Sequence, residues 1–226
     1  MSMNKKINDL KYIFLLVMII AFIMQFIYML SSQLTMTLMQ KVVLFGIQIL
    51  SIIGFTHFHL LGQDENKRKR GIQFAHYVVF IIYCVNLLYV LFLDHDFGRY
   101  MFEQTISYEE YLKYNVNIDP FETIMLFIHG YQIGVVSLET LSRNLIGNIV
   151  VFMPMAYFLP VLFKKQRHFF IFFITIVFIV LNVEILQVFL RIGSGDIDDL
   201  LLNVTGALVM FGILKGFHLY DLIERN

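Results

Sequence analysis

The chain has 226 residues, 58% of them hydrophobic and only 15% charged, with a mean hydropathy of +0.73 and a formal net charge of zero. That composition excludes an ordinary soluble domain, and its apolar residues are spread over several long runs and not gathered into one core. The chain therefore reads as an all-α protein, a multi-pass transmembrane helical bundle.

Six stretches approach or exceed the roughly 18 to 20 apolar residues a helix needs to cross the hydrocarbon. They fall at about 11–31, 39–61, 72–93, 145–163, 168–190 and 198–217. The first has no small-residue cleavage site and is too long for a signal-peptide core, so a retained span is expected. Lys5, Lys6 and Lys11 precede the first span, Lys67–Arg70 separate the second from the third, and Lys164, Lys165 and Arg167 separate the fourth from the fifth. The alternate connections carry less positive charge. The positive-inside rule then puts both termini in the cytoplasm and "GSGDIDD", residues 193–199, on the outer face. Three regions follow: a three-span part over 1–94, an outer loop over 95–143 with an interfacial or re-entrant helix, and a three-span core over 144–226.

The lone Cys84 falls in the third span, which leaves no disulfide or cysteine-based metal site within one copy. In the outer loop Tyr100, Tyr108, Tyr111 and Tyr114 suit the membrane–water boundary, with a ligand-contact surface as the alternative. Further on, "DPFETIMLFIHGYQIGVV" starts with a proline and is too short to span. Phe121, Ile124, Met125 and Ile128 share helical spacing and are expected to lie in the membrane, with Glu122 and His129 facing elsewhere. His129 has no second histidine at ligand spacing, and His57 and His59 lie on opposite sides of a helix. The basic residues form no groove interleaved with aromatics, so nucleic acid is excluded as a partner. Membrane lipids are the expected surroundings, and the oligomeric state is left open.

Polar residues inside apolar helices are costly unless paired or wet. In the fourth span Asn144 and Asn148 lie four apart on one face. In the fifth, Glu184, Gln187 and Arg191 fall at i, i+3 and i+7, and in the sixth Asp196, Asp199 and Asn203 repeat that spacing. With about 1.5 Å of rise per residue, Glu184 lies about 10 Å from the level of Arg191, and Asn203 about 10 Å from Asp196. The predicted site is a polar pocket between the last three helices, open to the outer side. Arg191 would answer Asp196 or Asp199, and Asn148 would bridge to Glu184 or Asn203. The competing explanation is packing: interhelical hydrogen bonds worth about 0.6 kcal/mol each, with Asp196 as N-cap and Asp199 at N3 of the last helix. Glu184 lies too deep to be a cap.

Residues 143–216 resemble the VanZ-like family of bacterial membrane proteins. The resemblance rests on Asn148 ahead of "FMP", Glu184 and Gln187, Arg191, the acidic turn with Asp196 and Asp199, and Asn203 with Gly206; "NIDPFETI" resembles the segment that leads into this block. It implies a bacterial cytoplasmic membrane protein linked to glycopeptide resistance, since founding members are associated with reduced susceptibility to teicoplanin. It implies no agreed reaction. One reading is a binding protein that engages a lipid-linked cell-wall precursor or a lipoglycopeptide, with Asn148, Gln187, Arg191, Asp196, Asp199 and Asn203 as ligand-binding residues and Arg191 offering a bidentate donor. The other is an enzyme acting on such a precursor, with Glu184 as catalytic acid/base. No cofactor is evident; Asp196 and Asp199 supply oxygen ligands for a divalent cation, but nothing further in the sequence supports one. Aspartyl proteolysis, suggested by "GSGD", would need a second aspartate facing the first at membrane depth.

Overall fold

A computed structural model describes residues 3–31, 36–94, 107–220 and 223. It is an all-α multi-pass bundle, with six helical segments long and apolar enough to cross a membrane. The described helices are α1 (Met3–Leu30), α2 (Leu38–Leu60), α3 (Glu65–Phe92), α4 (Tyr108–Asn115), α5 (Glu122–Gln132), α6 (Leu138–Val151), α7 (Met155–Leu162), α8 (Phe169–Leu190) and α9 (Ile197–Gly216). A 3-10 turn (Lys164–Arg167) and two two-residue strands, β1 (Val116–Asn117) and β2 (Gly195–Asp196), accompany them among the described residues. Tyr100 lies outside the described residues. The chain divides into two compact units, residues 1–82 and 83–226.

In the first unit α1 packs on α2. Thr37 and Gln40 form a capping box that starts α2. Gly54 gives room to the Phe14 ring, which stacks on Phe58 at 5.7 Å between centroids. The two spans also share a polar contact, Gln48 Nε2 donating to Gln25 Oε1. At the start of α3 the Asp64 carboxylate accepts the Lys67 N–H, which favours its charged form and holds its pKa below the usual carboxylate range.

The second unit is shaped by its prolines. The fourth span is not one helix: α6 stops at Val151, and Pro154, which has no N–H to donate, starts α7 after a short turn. Met155 N turns to the carbonyl of Phe152, and the carbonyl of Val151 is taken by the O–H of Tyr83, at 2.7 Å. Pro160, inside α7, likewise leaves the carbonyl of Ala156 without its helical donor, and the O–H of Tyr220 fills that place at 2.7 Å. Each proline break is thus matched by a tyrosine from elsewhere in the unit, as backbone polar groups away from water require.

Helix α8 is apolar over most of its length and buries one stripe, Phe172, Ile176, Val180, Val183, Glu184 and Gln187. That spacing of three and four residues is one helical face. It ends in a polar pair, while at its other end Phe172 stacks on Phe211 of α9 at 4.5 Å. Helix α9 also packs against α6 and α7, so the three predicted spans of the C-terminal core do meet. Gly206 makes the α6 contact close: a Cβ there would run into the backbone oxygen of Ile149.

Candidate functional site

The site gathers around the turn from α8 to α9. Arg191 ends α8 in the left-handed region, with φ 55° and ψ 39°, while its N–H and that of Ile192 bond back to Val188 and Gln187. A non-glycine residue there costs about 1–2 kcal/mol. Its guanidinium lies over the rings of Tyr108 and Tyr111, at 4.8 and 5.8 Å from their centroids. Tyr111 is fully buried, and its O–H donates to the carbonyl of Gly193. Burial pushes the Tyr111 phenol above its ordinary value. Beyond it Gly195 and Asp196 pair in parallel with Val116 and Asn117, where a side chain on Gly195 would strike Val188.

Four carboxylates then take different tasks. Asp196 caps α9, accepting the Asp198 N–H at 2.9 Å and, at 3.4 Å, the amide of Asn117. Asp198, fully buried, reaches the N-terminus of α5 and accepts the N–H groups of Phe121 and Ile124. Phe121 has φ 69° and supplies no side-chain cap of its own, so Asp198 caps α5 from another helix. Asp199, at N3 of α9, accepts from the amide of Asn148 on α6. Glu184, 8% exposed on α8, accepts the backbone N–H of Asp196 at 3.4 Å.

Nearer the turn on α8, Gln187 Nε2 donates to the carbonyl of Leu91 at 2.8 Å, one of the carbonyls that the end of α3 leaves open. Gln187 Oε1 and Asn203 Oδ1 are buried with no hydrogen-bond partner among the described residues. Also among the described residues, no group of three or more His, Cys, Asp or Glu side chains converges on a point that could hold a metal ion.

The model of the VanZ/LLP1 family matches residues 80–219, more than half of the chain, from within α3 to beyond α9. The chain belongs to the VanZ/LLP1 family. No curated protein and no solved structure matches it at a significant level. The VanZ/LLP1 match reaches well upstream of residue 143, taking in α4, β1 and α5, which the structure shows interlocked with the turn before α9.

In VanZ/LLP1 terms the residues singled out in the sequence converge in part. Asn148, Glu184, Asp196 and Asp199 share one hydrogen-bonded neighbourhood across α6, α8 and α9. The partner of Asn148 is Asp199, where Glu184 or Asn203 was expected. Arg191 lies against the two tyrosines, and Asn144 turns back to the Thr140 carbonyl on its own helix. Tyr111 is buried and does not belong to an interfacial belt, whereas Tyr114 is 76% exposed. On α5, Phe121 and Met125 are exposed, but Ile124 and Ile128 turn partly inward, and the exposed face also carries Glu122, Leu126 and His129. The expected apolar stripe is therefore divided. The role of Asp198 has no local signature in the sequence, since its N–H donors come from a segment more than seventy residues away. The juxtaposition of "NIDP" with "GDIDD" was the one available signal, and nothing local links the two.

Proposed function

We propose that this VanZ/LLP1 protein lies in a bacterial cytoplasmic membrane with the α8–α9 turn on the outer side, where its polar site engages a lipid-linked cell-wall precursor or a lipoglycopeptide and so contributes to teicoplanin resistance. The observation that supports this reading most is Glu184: a carboxylate buried in an apolar helix, at the level where Asp196, Asp199 and Asn148 come together from two other helices. Burying such a group is expensive, and packing alone does not call for it. Arg191, held at the rim by Tyr108 and Tyr111, is the cation suited to a phosphate or carboxylate on the ligand.

The same buried Glu184 favours a second reading, an enzyme that uses it as general acid/base on a lipid-linked or cell-wall precursor. Incubation of the purified protein with a labelled lipid-linked precursor separates the two. A binder retains the label unchanged, and retention falls in Arg191→Ala; an enzyme releases a new labelled species that Glu184→Gln does not form. Retention of no label and formation of no new species would refute both. Orientation is checked by reporter fusions at residues 66 and 195, which are expected on opposite sides of the membrane.

A further inference from the structure

Three acidic residues crowd the N-terminus of α5: Asp119, Glu122 and Asp198. An anion there is ordinarily explained by the open N–H groups and the helix dipole. Here Asp198 already accepts from Phe121 and Ile124 and is fully buried in doing so. Asp119 and Glu122 are exposed, and neither side chain has a hydrogen-bond or ion-pair partner among the described residues. Both open onto a groove of about 810 Å³ along α5, within the range of roughly 300–1,000 Å³ typical of small-molecule sites.

The lining of this groove is amphiphilic. Glu122, Leu126 and His129 succeed one another along one face of α5, with Met125 beside them and Ile118 and Asp119 contributed by the segment after β1. No lysine or arginine lines it, so its fixed charge is negative. A phosphate or carboxylate head would meet two carboxylates and no compensating cation. A cationic head would find both, with exposed Met125, Leu126 and Ile118 left to cover hydrocarbon.

We propose that this groove holds a lipid of the surrounding membrane whose headgroup carries net positive charge, the head against Asp119 and Glu122 and the chain along Ile118, Met125 and Leu126. This groove is separate from the Glu184 site and opposite to it in the ligand preference proposed above, because Arg191 suits that site to an anion. Asn117 joins them physically: it lines the groove and donates to both Thr123 and Asp196.

The test uses the full chain in detergent with two fluorescent dioleoyl lipids, one with a trimethylammonium head and one with phosphatidylglycerol's. The cationic lipid is expected to bind at least about fivefold more tightly, the scale of two exposed ion pairs. That preference should vanish in Asp119→Asn/Glu122→Gln, reverse in Glu122→Lys, and persist in Glu184→Gln and Arg191→Ala, whose failure would concern the other site. Free choline should not displace the bound lipid. Equal binding of the two lipids, a preference kept by the double variant, or displacement by choline at matching concentration would each overturn the proposal.

Discussion

Tyr220 donates its O–H to the carbonyl of Ala156, the acceptor that Pro160 strips of its helical donor. The contact ties the segment after α9 to α7 and makes a proline tolerable inside a span. Tyr220→Phe should cost about 1–3 kcal/mol, since it leaves a buried carbonyl open. In Pro160→Ala the residue at 160 regains an N–H, so the same Tyr220→Phe change should cost clearly less. A double-mutant cycle on thermal unfolding in detergent measures the coupling.

Asp198 should matter through α5. Asp198→Ala removes the acceptor of two backbone N–H groups and is expected to destabilise the docking of α5 by about 1–3 kcal/mol, with faster amide exchange at Phe121 and Ile124. Exchange unchanged at those two amides would show that α5 is held by other means.

Gly206 and Gly212 offer a comparison within one helix. Gly206→Ala must push α9 away from Ile149, whereas a Cβ on Gly212 meets nothing within 4 Å. The first substitution should destabilise by about 1–3 kcal/mol. The second should be neutral or stabilising by up to about 1 kcal/mol, because alanine favours the helix.

Tyr111 sets a limit at high pH. Its phenol loses its proton less readily folded than unfolded, because burial raises it above 10.0. The folded state thus holds a proton that the unfolded state has lost, and the contribution of Tyr111 is present below about pH 10 and lost as pH rises through the raised folded value. Protease resistance around Gly193 should fall in that alkaline window in the wild type, and Tyr111→Phe should remove this pH dependence.

The spans were legible in the sequence because hydrocarbon thickness imposes a length on any apolar helix, and residues 169–190 or 197–216 satisfy it with little ambiguity. The break between α6 and α7 was not, since residues 138–162 are long and apolar enough for one span, and of their two prolines Pro154 marks the break while Pro160 lies within α7. In the site, helical spacing placed Glu184 with Gln187 and Asp196 with Asp199 on their helices. Spacing cannot say which partner lies across the gap: Asn148 meets Asp199, and Arg191 meets tyrosines from a helix some eighty residues upstream. The separate duties of Asp196, Asp198 and Asp199 depend on where α5 and α6 stand, which no local pattern encodes.

The central claim is that Glu184 belongs to a functional site and is not merely packed. Its most direct test is Glu184→Gln, which keeps shape and hydrogen-bonding capacity but removes the charge, scored in cells where the wild-type protein lowers teicoplanin susceptibility, with membrane abundance measured alongside. Unchanged abundance and lost protection are the expected result. Protection retained at wild-type abundance, or lost only in proportion to abundance, would contradict it.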